Sequence, residues 1–161
     1  MAFVVSNEQI QREAHRFARL LDAAGVGRSD AVALLLPNVP EFLYCHRGIG
    51  WSGRTCVPVN RNLASADVAY VTQNSGARVL VAHVDYREAA QAAAAEAGLD
   101  RSHCFAAGGD IPGFRQLEEM NAFSDAALDA PLAGRLSVTT AVPRPKRVAT
   151  SCTRKGPWLR A

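Results

Sequence analysis

Apolar and polar positions alternate along this chain in two distinct rhythms. The first is helical: Ile10, Ala14, Phe17, Ala18 and Leu21 recur at spacings of three and four and predict an amphipathic helix. Ser6 stands ahead of it as an N-cap, and Gln9 completes a capping-box pattern. The second rhythm is a short continuous apolar run, Ala31–Leu36, closed by Pro37. Its length and abrupt edges predict a buried strand. The same alternation of segment types continues. Residues 38–53 predict a helix capped by Asn38, with Gly48 and Gly50 packing closely on a sheet. Residues 55–59 predict a strand, and 65–74 a helix capped by Ser65. Residues 78–82 predict a strand, 86–97 an alanine-rich helix, 103–106 a fourth strand and 114–123 a last helix. From Ser124 onward the pattern fades.

Strands that alternate with helices pair in parallel and carry those helices on the sheet faces. The expected class is therefore α/β, with helices packed on a mostly parallel sheet. A chain of 161 residues that is 48% hydrophobic can bury such a core without disulfides or a structural metal. No apolar run approaches the roughly 20 residues that cross a bilayer, so no membrane span is expected. The first residues lack the basic start and apolar stretch of a signal peptide, and the expected location is cytoplasmic.

Charge divides the chain unevenly. Residues 1–140 hold twelve arginines and all fifteen acidic residues, for a net of −3. Residues 141–161 hold four arginines, the only two lysines and no acid, for a net of +6. The division sets residues 1–137 apart as an α/β region and 138–161 as a basic tail of doubtful fold. Pro143, Pro145 and Pro157 exclude a basic amphipathic helix there. A basic arm for nucleic acid is one reading of the tail, but Trp158 is its one aromatic residue, which argues against a base-stacking platform.

Catalytic chemistry is scarce on this reading. Cys45, Cys56, Cys104 and Cys152 form no C-x-x-C pair, and His103-Cys104 has no second pair with which to build a metal site. They read as buried thiols, and no metal ligand is assigned. His15, on the polar side of the first helix, and His46, His83 and His103 read as surface or helix-edge residues. Glu118 and Glu119 are adjacent and point apart. Glu41 complements a helix start. No residue is assigned a catalytic role.

The order of short motifs nevertheless resembles a known family. Leu20-Leu-Asp-Ala-Ala-Gly-Val-Gly27 and Asp30-Ala-Val-Ala-Leu-Leu-Leu-Pro-Asn-Val-Pro-Glu-Phe42 are similar to the opening phrase of the adenylate-forming (AMP-binding) acyl-CoA synthetases, which include the fatty-acid–CoA ligases. Gly48 to Arg61 resembles that family's G-x-x-x-A-G-x-x-x-x-P-x-N-x-R, and Asp67 to Val81 its E-L-x-Y-x-x-x-x-S-x-A-x-x-x-V. Ser29 and Ser52 stand where glycine and alanine are usual. The resemblance implies the first part of that family's large N-terminal domain. It also implies, for intact members, ATP, Mg²⁺ and CoA as reactants in the two-step conversion of a carboxylic acid to an acyl-adenylate and then an acyl-CoA.

The family's phosphate-binding loop, T-S-G-T-T-G-x-P-K-G, corresponds here to Thr150-Ser-Cys-Thr-Arg-Lys-Gly-Pro-Trp-Leu159. Thr150, Ser151 and Thr153 match, and then the similarity fails. Cys152 replaces a glycine whose absent side chain lets backbone N–H groups wrap a phosphate. A degenerate loop, a shift of reading frame near residue 141 and a purposeful basic tail are the three readings of this stretch. The expectation is a truncated ligase, inactive alone and without cofactors of its own. The alternatives are an interaction module that pairs with a longer synthetase or a second fragment, and a basic-tailed nucleic-acid binder. The isolated chain is expected to be marginally stable and prone to aggregate.

Overall fold

A computed structural model describes residues 4–129 and 132–137; the remainder, including 138–161, lies outside the described residues. Six parallel strands form one sheet: β1 (Ala31–Leu35), β2 (Thr55–Pro58), β3 (Ala77–His83), β4 (Cys104–Ala107), β5 (Arg115–Gln116) and β6 (Arg135–Leu136). Their order across the sheet is β5-β4-β3-β1-β2-β6. Helices cover both faces: α1 (Asn7–Ala23), α2 (Pro40–Trp51), α3 (Ser65–Asn74) and α4 (Arg87–Glu96). The α/β class with parallel pairing is as the sequence predicts.

The central strand shows why the layers form. Ala31, Ala33 and Leu35 of β1 join the apolar core under α3 and α4. Val32, Leu34 and the following Leu36 join the core under α1 and α2. A pleated strand sends successive side chains to opposite faces, so an unbroken apolar run is what a strand covered on both sides requires. The reversal of strand order beyond β2, at constant crossover handedness, accounts for α2 lying on one face and α3 and α4 on the other.

Helix α1 follows its sequence pattern closely. Ile10, Ala14, Phe17, Ala18 and Leu21 are all buried, and the Ser6 Oγ accepts the Gln9 N–H at 3.1 Å. Other expectations need correction. Val39, not Asn38, occupies the N-cap of α2, with Pro40 at the first helical position. Ala64 occupies the N-cap of α3, and Ser65 is already inside the helix. Neither cap makes a side-chain hydrogen bond. Gly48 packs on α1 rather than on the sheet: a Cβ there would lie 2.6 Å from the Ala14 carbonyl oxygen.

Residues 114–123 form β5 and a 3₁₀ helix (Leu117–Ala122), not the predicted α-helix. Arg115 pairs with Phe105 at the edge of β4, which holds the backbone extended. The next buried residues, Leu117 and Met120, are three apart, the period of a 3₁₀ turn.

Beyond this turn the chain crosses from the β5 edge to the opposite edge and adds β6, which the sequence pattern did not predict. It runs along α1 on the way. The Arg19 guanidinium donates to the carbonyls of Ser124 at 2.8 Å and Ala126 at 2.7 Å, and Arg16 lies 3.6 Å from the Asp125 carboxylate. The Leu132 N–H then donates to the Trp51 carbonyl at 2.7 Å.

Candidate functional site

In an open parallel sheet, a crevice forms outside the carboxyl ends of two strands whose connections leave in opposite directions. Here those strands are β1 and β3. A crevice of about 590 Å³ lies there. Val39 and Pro40, just after β1, form one wall, and His83, the last residue of β3, stands beside it. α1 supplies Gln9, Ile10 and Glu13, α2 supplies Glu41 and Tyr44, and the 3₁₀ turn supplies Glu118 and Met120.

His83 is fixed by its surroundings. The ring lies against the backbone of Gly108, where a Cβ would fall 2.3 Å from Nε2. Gly108 also has φ +73°, so both space and backbone conformation call for glycine. The Asp85 backbone N–H donates to His83 Nδ1 at 3.3 Å, which places the proton of the neutral ring on Nε2. The Asp85 carboxylate lies 3.1 Å from the same Nδ1, so a protonated ring would donate to it instead. The other histidines are structural. His15 stacks on Trp51 at 5.1 Å, half-buried between α1 and α2 rather than on a polar side. His46 stacks on Phe42, and His103 Nε2 lies 3.1 Å from the Ala24 carbonyl oxygen.

The crevice is anionic. Its lining includes Glu13, Glu41 and Glu118 and no lysine or arginine among the described residues. Glu13 is paired with Arg16 at 3.0 Å, whereas Glu41 and Glu118 have no ion-pair partner among the described residues. Burial pushes the Tyr44 phenol well above its ordinary range, and the nearby Cys45, Glu41, Glu13 and Glu118 push it further. Tyr44 is a neutral hydroxyl at any physiological pH. Glu119, by contrast, is held below the usual carboxylate range by its hydrogen bond to Arg115 and is not among the residues that line the crevice.

These residues do not fit a nucleoside triphosphate. Phosphate needs backbone donors and cations, and this crevice presents carboxylates and a neutral phenol. Thr150, Ser151 and Thr153 lie outside the described residues. Among the described residues no group of three or more His, Cys, Asp or Glu side chains is placed to hold a metal ion. Cys45, Cys56 and Cys104 are buried free thiols, kept protonated by burial; Cys56 is pushed up to about 12 and Cys104 to about 11. No helix among the described residues is long and apolar enough to cross a membrane.

Sequence reasoning missed one buried charge. Arg54, only 1% exposed, donates to the Asp22 carboxylate at 2.6 Å and to the Val26 carbonyl. It joins the end of α1 to the start of β2 and takes no part in the crevice. The residue just after the Gly53 turn was read as part of a motif, and nothing in its local pattern signals burial.

Comparison with known proteins places this geometry. A crotonobetaine/carnitine–CoA ligase of Citrobacter koseri is 36% identical over 81 residues, which is 50% of this chain and 16% of that protein. The chain thus spans about a sixth of the length of the curated relatives it matches. Coronafacic acid ligase from Pectobacterium brasiliense superposes with a TM-score of 0.71 at 15% identity, covering 82% of this chain and 28% of that one. The N-terminal domain of FACL13 from Mycobacterium tuberculosis superposes with a TM-score of 0.61 at 27% identity, covering 76% and 30%. The sequence profile of the AMP-binding enzymes matches residues 4–151, nearly the whole chain. A doubly wound parallel layer, the ordered motifs and this match agree, and the chain belongs to the AMP-binding enzymes, the adenylate-forming family of the acyl-CoA ligases.

Proposed function

We propose that this chain is a scaffold segment of an AMP-forming acyl-CoA ligase and performs no adenylation by itself. In the reaction of the family, a carboxylate oxygen attacks the α-phosphorus of ATP and pyrophosphate leaves. The CoA thiol then attacks the acyl carbonyl and AMP leaves. Both steps gather negative charge that must be met by cations and backbone donors. The observation that carries the proposal is the anionic crevice at the β1/β3 switch point, with Glu13, Glu41 and Glu118 where an anionic acid or a triphosphate would be repelled. The contribution of residues 1–137 is then structural: a two-faced sheet on which the catalytic parts of a ligase are mounted. Residues 138–161 are set apart by charge alone, with six cations and no acid.

Acid-dependent ATP–pyrophosphate exchange by the purified chain tests the proposal. Carnitine, crotonobetaine, coronafacic acid and fatty acids are to be offered in turn, the first three because relatives of this chain are ligases of those acids and the last because of the family resemblance. No exchange above background is expected. Exchange that depends on the acid would overturn the reading.

The exposed edge supports a second role, pairing with a longer synthetase or a second fragment. β6 is only two residues long, and Leu136 on it is 60% exposed. Sedimentation of a mixture with a purified full-length ligase should give a complex. Independent sedimentation of the two would remove this role.

A further inference from the structure

His15 takes no part in the crevice, yet it stands where the segment that crosses to β6 is fastened. Its ring stacks on Trp51 at 5.1 Å, and its Nδ1 is shielded from solvent without a hydrogen-bond partner among the described residues. Both fastenings of the crossing segment are its neighbours. Arg19, one helical turn on, donates to the carbonyls of Ser124, Ala126 and Ala127. Trp51, against the ring, accepts the Leu132 N–H through its carbonyl, and the chain from Leu132 leads into β6.

The charges around the ring are mostly positive. On α1, Arg19 lies one turn after it, and Arg12, paired with Glu8, one turn before. From α2, Arg47 lies over the Trp51 ring at 5.9 Å and donates to Asn7. The crossing segment brings the Asp125 carboxylate, which is already 3.6 Å from Arg16. Beyond Trp51 a cleft holds Asp22, Arg28 and Asp129, and Asp22 is paired with Arg54. Burial and Arg19 outweigh Asp125, so the fastened arrangement favours the neutral ring.

A protonated imidazole carries an N–H on both nitrogens. The shielded Nδ1 would then be a donor without an acceptor, and a second cation would stand one turn from Arg19. Both costs are removed when the crossing segment lifts, because water reaches the ring and Arg19 is free to swing away. We propose that His15 is an acid-sensitive latch: the neutral ring lets Arg19 and Trp51 hold the crossing segment, and the protonated ring releases it together with β6. Release uncovers the β2 edge while β1, β3 and β4 stay paired. The latch goes beyond the scaffold reading and does not depend on it. Linkage gives the sign: the released state binds the proton more tightly, so release grows as pH falls through the ordinary histidine value of 6.5.

Amide hydrogen exchange of the full chain, with each rate divided by its intrinsic rate, reads the release directly. The reporters are the Leu132, Arg135 and Ser137 amides, which donate to Trp51, Arg54 and Cys56. They should be less protected than the β3 amides from Val79 to Ala82, the mark of a local opening. Their protection should fall roughly threefold between about pH 7 and about pH 5, and in His15→Phe it should stay constant. His15→Gln, which keeps a polar group at the site but does not titrate in this range, repeats the comparison. Reporter protection that equals that of β3, that does not change with pH, or that falls as far in the variants as in the parent would overturn the proposal.

Discussion

Gly48 is the point at which α1 and α2 come closest. With the Ala14 carbonyl oxygen 2.6 Å from where a Cβ would sit, even one methyl forces the helices apart. Gly48→Ala should cost about 1–3 kcal/mol, read as a lower urea midpoint. Arg54 makes the opposite case. Its Nε and Nη1 are buried without partners among the described residues, while its ion-pair partner Asp22 is 63% exposed. Removing the guanidinium strands no buried carboxylate but leaves the Val26 carbonyl without its donor, so Arg54→Met should cost about 1–3 kcal/mol, and Arg54→Ala, which adds a cavity, should lose more. His15 supplies a pH dependence. Burial, then the neighbouring Arg19, lowers its pKa below the unfolded value of 6.5. As pH falls through that value the unfolded chain takes up the proton first, so stability is lost toward acid. In His15→Phe the loss between about pH 7 and about pH 5 should be smaller, measured as the difference between two urea midpoints.

At the scale of elements, what was legible depended on whether local pattern and tertiary packing agree. The stripe of α1 and the run of β1 each encode their own burial, and both formed as the pattern predicts. The caps of α2 and α3 were misread because Asn38 and Ser65 have the right chemistry one position away from the residue that takes the cap geometry. Residues 114–123 were misread because an edge of β4 was available to them, and no local signal reports a neighbour eight or more residues away. The crevice was legible least of all. Glu13, Glu41, His83 and Glu118 come from four elements, and only the strand order brings them together. The sequence reading of buried thiols holds for Cys45, Cys56 and Cys104, and Cys152 lies outside the described residues. Cys45, Cys56 and Cys104 should react with a disulfide reagent only as fast as the chain unfolds, because burial withholds the reactive thiolate. Native reaction within seconds at any of the three, mapped by mass, would show that the covering helices open far more readily.

On the scale of the whole molecule, stability should depend on concentration. Among the described residues both outer strands are two residues long, too short to close the sheet edges they flank. The apolar Leu136 and Leu43 are exposed besides. The purified chain should self-associate on concentration and melt with poor reversibility. Leu136→Lys should reduce the association, read as a smaller weight-average mass in sedimentation. A sharp, reversible melt of a monomer would count against this picture.

The belt that carries the chain from one sheet edge to the other has a mechanical consequence. Tension applied at Ser137 meets the short β6 register first, then the Leu132 anchor on Trp51, then the clamp of Arg19 on Ser124 and Ala126. These are loaded one after another, like the teeth of a zip, whereas the strands of the central sheet share their load side by side. The molecule should therefore lengthen in small early steps at low force, with β1 to β4 intact, before a single larger event. A pulling handle at Asp110, on the inner side of the belt, should abolish the early steps and keep the late one.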